Sequence, residues 1–279
     1  MPNTTVLDSQ SISQPHDRLI KKLLDPATTD HLFRERLPSE LVALMTPDLP
    51  KPVESSVVNQ KLCPALLDRL FLIKLVDDKP LYVHIVIEHK SFPDRFHPWQ
   101  ITSNVIETIK QELASTPDPV ALPLVIGLVI RHEPIQNDAP ITTTDELLSL
   151  VDAPQVLRPW LLNLRFVVVH LQQIDDDRLS SHARLRAGFM LLKYGTRDPE
   201  TQMKAMGQII AALRQCPELL LPAMIYMATV FKFMRREQVE EIVLQVNPEQ
   251  EVEMLSQFAH ASSMPARWTR SSATDGLFM

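Results

Sequence analysis

The sequence predicts an α/β fold with a mixed central sheet flanked by helices. One observation is an apolar strand pattern at 81–87, followed by a stripe at helical spacing over 98–114 and a second apolar strand at 121–130. This order is that of a βαβ unit, whose two strands lie parallel in one sheet. The other observation is a strand pattern at 66–76, joined to 81–87 by turn-forming residues, which adds an antiparallel hairpin.

The segments before the hairpin are predicted from the same kinds of pattern. Residues 1–14 are polar and unpatterned, which predicts a disordered tail. Two helices come next, because Asp17 can cap the first and the second breaks at Pro38. The prolines of residues 47–56 are typical of a connector that leads to the hairpin.

The segments after the βαβ unit complete one domain and begin another region. A strand pattern at 164–171 leads through a polar loop to a helix, so residues 15–200 are assigned to one α/β domain. Residues 201–279 change character, with helical patterns that are rich in methionine. We predict a helical C-terminal region there, whose surface could contact a partner or join copies of the chain into a homo-oligomer. Its three helical patterns are at 202–215, 218–234 and 236–246.

The composition excludes several classes of protein. The longest apolar run, 122–130, is far shorter than the roughly 20 residues that cross a bilayer, and the first residues lack the features of a signal peptide. We therefore expect no membrane contact and a cytoplasmic location. Cys63 and Cys216 lie far apart in apolar surroundings, which supports neither a disulfide framework nor a thiolate zinc site.

The net charge and the positions of the glycines limit the classes of ligand that the protein could bind. The net charge of −6 argues against a protein that coats nucleic acid, although a local basic cleft stays open. Residues 1–100 carry 12 basic and 13 acidic side chains and are nearly neutral, so a polyanion would approach that part. The chain has five glycines, none spaced for a GxGxxG turn or a GxxxxGK loop, which excludes nucleotide-phosphate binding of those two kinds.

A polar ending on the apolar strand 81–87 suggests a site. Glu88 and Lys90 follow the strand at alternate positions and therefore project to one face, at the carboxyl end where α/β sheets place their chemistry. In the hairpin, Asp68 on the preceding strand is predicted to lie opposite Glu88. Two facing carboxylates attract a divalent cation, and Lys90 could then assist at a phosphate. This arrangement suits metal-assisted phosphodiester hydrolysis.

A plainer interpretation stays open, and from spacing alone it is the stronger. Glu88 and Lys90 could be the solvated end of a strand, with Asp68 paired to a neighbouring cation. His84 is predicted on the same face as Glu88, but a single histidine in an apolar strand is more often a core residue. Asp17 and Glu54 are weaker candidates for the site, since Asp17 is explained as a helix cap.

Three stretches of sequence favour the site. They are PHDRLIKKLLDPATTDHLFRERLPSEL (15–41), LLDRLFLIKL (66–75) and YVHIVIEHKSFPDRF (82–96). They resemble the YhgA-like transposase family, also called recombination-promoting nucleases (Rpn), within the PD-(D/E)xK nuclease superfamily. The resemblance extends over about the first 200 residues. It departs from the family at VNQKLC (58–63), where an acidic cluster is usual, and at Arg131-His132-Glu133, where Tyr and Gly are usual.

The resemblance implies a fold and an activity. It implies a restriction-endonuclease-like core and a DNA endonuclease that depends on Mg²⁺ or Mn²⁺ and is associated with recombination or mobile elements. Asp68 and Glu88 match the metal ligands of the family, and Lys90 matches its third catalytic position. The alternative is a catalytically inactive nuclease fold that binds DNA or a protein. A transposase with an RNase H-like acidic triad is disfavoured, because no three acids have the required spacing.

Overall fold

The computed structural model describes residues 15–53, 66–88, 97–133, 144–231, 234 and 236–246. Among them, fourteen helices and strands carry the fold, accompanied by short 3-10 turns. The helices are α1 (Pro15–Leu23), α2 (Pro26–Arg36), α3 (Ser39–Val42), α4 (His97–Ser115), α5 (Ala183–Gly195), α6 (Pro199–Leu213), α7 (Leu220–Val230) and α8 (Arg236–Val246). The strands are β1 (Lys51–Val53), β2 (Leu66–Lys74), β3 (Pro80–Glu88), β4 (Leu124–Arg131), β5 (Thr144–Glu146) and β6 (Arg165–His170).

The strands form one mixed sheet in the order β1-β2-β3-β4-β6-β5. β3, β4 and β6 are parallel, whereas β1 pairs with β2, β2 with β3 and β5 with β6 in antiparallel fashion. The predicted hairpin and the predicted parallel βαβ unit are therefore confirmed, as is the α/β class. The architecture is consistent with a restriction-endonuclease-like core.

The two edge strands were not predicted. β1 lies within residues 47–56, which the sequence indicated as a connector, so that interpretation is corrected for Lys51–Val53. Its Pro52 is compatible with an edge strand, because the backbone groups on the outer side of such a strand need no hydrogen-bond partner from the sheet. β5 is equally short. Three residues are too few to show the alternation of a strand, so β1 and β5 can be recognised only from their pairing with β2 and β6.

One face of the sheet is covered by α4. A small apolar cluster fills the space between them, formed by Val86, Ile101, Val105, Val129, Phe166 and Val168. Close approach requires a residue without a side chain at Gly127, because a Cβ there would lie 3.0 Å from Ile101 Cγ2 and 3.1 Å from Phe166 Cβ. Since α4 connects the carboxyl end of β3 to the amino end of β4, the first turn of α4 lies at the carboxyl end of the parallel strands.

The opposite face carries the main core. Alternate residues of the strands, among them Phe71, Ile85 and Ile130, pack there with α1, α2, α5 and α7. Phe71 is 1% exposed, and its ring meets that of Phe33 in a T-shaped contact with 6.1 Å between centroids. β3 is buried from Leu81 to Ile87, as expected of a strand that is covered on both faces.

Helix termini explain where the flanking helices begin. Asp25 caps α2 and Asp198 caps α6, each by accepting a hydrogen bond from a backbone N–H three residues later, and each is followed by proline. The predicted cap at Asp17 is wrong, because α1 begins at Pro15 and Asp17 lies inside its first turn. The single helix predicted over 218–234 is also corrected, since a 3-10 turn precedes α7 and the helix ends at Val230.

The C-terminal helices share the main core. α7 packs on α1 and α5, and α8 packs on α6 and α7. Met224, Met227 and Met234 are at most 2% exposed, so these methionines fill the core and do not form a surface. Contact between copies of the chain stays a prediction, as does the division at residue 200. No helix in the described ranges has the length and apolarity to cross a membrane.

Candidate functional site

Two acids, Asp68 on β2 and Glu88 on β3, lie on adjacent strands near the carboxyl end of β3. The register pairs Glu88 with Leu66 and Asp68 with Val86. The two acids therefore occupy positions on one face of the sheet that are two residues apart along the ladder. The prediction that Asp68 lies directly opposite Glu88 is wrong by two residues.

The position of the hairpin turn explains this difference. A direct Asp68–Glu88 pairing requires a turn centred on Asp78, whereas the pairing of Lys74 with Pro80 centres it on Asp77. Asp78 instead adopts a left-handed φ of 64°, a conformation that aspartate tolerates. A shift of the centre by one residue moves every partner by two positions and leaves the face unchanged.

Several predicted residues lie outside the described part of the chain. These are Glu54 and Lys90 entirely, together with the side chains of Asp17, Asp68 and Glu88. A separation of roughly 4–6 Å between the carboxylates of Asp68 and Glu88, which a shared ion would require, thus stays a prediction. Among the described residues, no group of three or more His, Cys, Asp or Glu could hold a metal ion.

Polar residues also stand at the carboxyl ends of β4 and β6, the next two strands of the sheet after β3. Arg131 ends β4 in register with Glu88, and His170 ends β6 in register with Arg131. Arg131 is partly exposed, and Glu133, two residues beyond it, is 5% exposed. Glu133 Oε1 lies 3.7 Å from His170 Nε2. The carboxyl edge of the sheet thus carries acidic, basic and imidazole groups across three parallel strands.

The chain leaving β4 is held in place by neighbours on the main-core side. Gln172 Nε2 donates to the His132 carbonyl oxygen over 2.8 Å, and Thr196 Oγ1 donates to the same oxygen over 3.0 Å. The buried His132 ring stacks at 6.2 Å on His16 of α1, and His16 also contacts Tyr226 edge-on at 4.9 Å. The first turn of α1, which includes Asp17, therefore lies at the same edge of the sheet.

Helix α5 anchors the network behind Gln172. Lys193 Nζ donates to Asp176 Oδ1 over 2.8 Å and to the Ile174 carbonyl over 2.6 Å, and Tyr194 Oη donates to Asp176 Oδ2 over 2.6 Å. Burial and the hydrogen bond to Asp176 raise the pKa of Tyr194. Because the Lys193 carbonyl accepts from Gln172 over 2.6 Å, the end of α5 and the end of β4 are joined through one amide.

Comparisons with known proteins identify the family. The family model described as "Putative transposase, YhgA-like" matches residues 14–219, which include β2, β3 and the carboxyl edge of the sheet. The chain belongs to the YhgA-like family. It is also 27% identical over 182 residues to the protein named recombination-promoting nuclease RpnC of Escherichia coli (strain K12), a match that covers 64% of this chain. The matched region spans 58% of that relative's length. No solved structure matches the chain.

Within this YhgA-like chain, three residues of the carboxyl edge were not predicted as part of the site. Arg131 and Glu133 stood out only as departures from the family, and His170 belonged to a predicted strand. Their positions could have indicated the site, because polar residues that end successive parallel strands meet at one edge of a sheet. Gln172 and Thr196 carry no such signal, since their contacts with His132 depend on the packing of α5.

One buried histidine, His84, and one half-buried histidine, His16, are expected to make the stability of this family member sensitive to acid. Burial lowers the pKa of His84, on β3, to about 4 and that of His16, on α1, to about 4. Both are therefore neutral in the folded protein at neutral pH. His84 is 1% exposed in the middle of the sheet, in register with Leu70 and Gly127, which agrees with its interpretation as a core residue.

We expect the free energy of unfolding to fall as the pH is lowered from about 6.5 to about 4. In that window the unfolded chain binds protons at these histidines, whose usual pKa is about 6.5, while the folded protein does not. The loss at pH 5 is roughly 2 kcal/mol for each histidine. Denaturant unfolding at pH 7.5 and pH 5 measures it, and His84→Gln and His16→Gln should each reduce the difference. An unchanged difference in both variants would contradict the assignment.

Proposed function

We propose that this chain is a divalent-metal-dependent DNA endonuclease in which Asp68 and Glu88 hold Mg²⁺ or Mn²⁺ and Lys90 assists at the scissile phosphate. The observation that carries the proposal is the register of the hairpin, in which the two acid positions share one face at the carboxyl end of a buried central strand. Membership of the YhgA-like family and similarity to a protein named a recombination-promoting nuclease support it.

The donor set fits a hard cation. Positions two residues apart on an antiparallel pair have Cα atoms roughly 7–8 Å apart, a gap that an Asp and a Glu side chain would be long enough to close around a shared ion. Carboxylate oxygens are the ligands that Mg²⁺ and Mn²⁺ prefer. When bound, such an ion polarises the phosphoryl oxygen and lowers the pKa of its bound water.

The chain's own residues would bind and orient the DNA. Lys90 follows Glu88 by two residues, and its ammonium would donate hydrogen bonds to a non-bridging phosphate oxygen and offset the charge that develops there. The first turn of α4 lies at the same edge of the sheet, where the positive end of the helix dipole favours an anion. The low net charge of residues 1–100 also lets a polyanion approach.

Supercoiled plasmid is the test substrate. The purified full chain should convert it to nicked or linear DNA with Mg²⁺ or Mn²⁺ and leave it intact with EDTA. If no divalent ion supports cutting, the alternative of an inactive nuclease fold that binds DNA or a protein takes its place. The cytoplasmic location and an association with recombination or mobile elements belong to this proposal and stay predictions.

Lys90→Gln should give reduced but detectable nicking. The amide can still donate a hydrogen bond to the phosphate but contributes no charge, so part of the electrostatic stabilisation of the transition state is lost. A rate roughly 10- to 100-fold below the parent is expected, measured by initial rates of plasmid nicking at saturating Mg²⁺. A rate equal to that of the parent would remove Lys90 from the site.

A further inference from the structure

We propose that Arg131 is a phosphate-binding residue that positions the DNA strand beside the Asp68–Glu88 pair. This inference rests on the proposed function for the identity of the ligand, and it adds a residue to the site. Its basis is the register of the parallel strands, which places Arg131 next to Glu88 at the last position of β4. Neighbouring strands are about 4.8 Å apart, so a guanidinium from this position reaches a phosphate that sits at the acid pair.

The backbone that carries Arg131 is held on the side away from α4. The next residue, His132, is fully buried and accepts hydrogen bonds from Gln172 and Thr196 at 2.8 and 3.0 Å. These contacts fix the direction of the chain immediately after Arg131. A guanidinium that starts from a fixed strand end loses less conformational freedom on binding than one on a loop.

Glu133, two residues beyond Arg131, is a buried acid beside β6. Glu133 lies toward His170 on β6, with 3.7 Å between Oε1 and Nε2, and is 5% exposed. Arg131 itself is partly exposed at the edge of the sheet, where DNA can reach it. Arginine suits this role because its planar fork donates two parallel hydrogen bonds to a phosphate and stays charged at any working pH.

The test is binding of a fluorescein-labelled 20-base-pair DNA duplex, followed by anisotropy in EDTA over a series of KCl concentrations. Arg131→Gln should weaken binding about tenfold and lower the slope of log Kd against log [KCl] by about one, as expected for the loss of one phosphate contact. Arg131→Lys should keep the slope and lose less affinity, because the charge remains but the fork is absent.

Arg165→Gln is the matched control. It removes the same charge from the amino end of β6, the opposite edge of the sheet, and should change binding by less than about twofold. Equal effects of Arg131→Gln and Arg165→Gln, or unaltered binding by Arg131→Gln, would overturn the proposal. The circular dichroism and melting temperature of each variant show whether it folds. If Arg131→Gln does not fold, Arg131→Lys is compared with Arg165→Gln. A larger loss of affinity for Arg131→Lys supports the proposal, and an equal affinity overturns it.

The same measurement separates this inference from the proposed nuclease activity. A parent protein that binds the duplex but never nicks plasmid leaves Arg131 as a DNA contact of an inactive fold. A parent that binds no duplex refutes the phosphate contact directly. If Arg131 served only as an internal partner for an acid, Arg131→Gln would lower the melting temperature and leave the salt slope of binding unchanged, which would also refute it.

Discussion

Asp68→Ala is expected to abolish Mg²⁺-dependent nicking of plasmid, with a loss of at least about a hundredfold, or about 2.7 kcal/mol in the activation free energy. The reason is that the ion would lose one of its two carboxylate ligands from the protein. The fold should survive, because two acids that share an ion would repel each other when no metal is bound, and the substitution removes one of them. The melting temperature in EDTA should therefore equal or exceed that of the parent.

Asp77→Ala provides the control from the same hairpin. Asp77 lies in the turn at the far end of β2 and β3, where its carboxylate pairs with Lys79 at 2.6 Å in an exposed ion pair. Solvent screens such an exposed pair, so neither nicking nor stability should change much. If Asp68→Ala cuts plasmid as well as Asp77→Ala does, Asp68 is not a metal ligand.

Phe71→Ala is expected to lower the free energy of unfolding by about 3–5 kcal/mol, the largest effect on stability that we predict. Phe71 lies on β2 three residues after Asp68 and packs in the main core, where it is 1% exposed and contacts Phe33. Its removal leaves a cavity that close-packed neighbours cannot fill completely. Nicking should decline only as the fraction of folded protein declines. Guanidinium unfolding followed by circular dichroism measures the change.

Val76→Ala is the matched comparison for this truncation. Val76 lies beside the hairpin turn and is 61% exposed, so its loss should cost less than about 0.5 kcal/mol. A cost below about 1 kcal/mol for Phe71→Ala would contradict the placement of this ring in a close-packed core. Asp68→Ala and Phe71→Ala together test catalysis and stability from one strand.

The succession of elements could be predicted from the sequence because each has a local period. β3 was predicted at 81–87 and runs from Pro80 to Glu88, and α4 was predicted at 98–114 and runs from His97 to Ser115. The parallel pairing of β3 and β4 followed from the helix between them, since a crossover of this length returns the chain in the same direction. Alternation along β3 also predicted that His84 and Glu88 occupy one face.

Register and edges required the tertiary structure. The hairpin residues 76–80 allow more than one turn centre, and only the backbone conformation, with Asp78 at a φ of 64°, decides between them. Short strands such as β1 and β5 exist because β2 and β6 offer them unpaired backbone groups. The sequence of a three-residue strand contains no period from which it could be recognised.

The acid pair and the rest of the carboxyl edge differ in how they could be found. Asp68 and Glu88 belong to one hairpin, so their common face follows from alternation and a turn, which are properties of consecutive residues. Arg131 and His170 join Glu88 only through the register of three strands separated by a helix and a long connection. His16 reaches His132 because α1 packs across the sheet. Contacts of this kind depend on side-chain packing between distant segments, which no local pattern specifies.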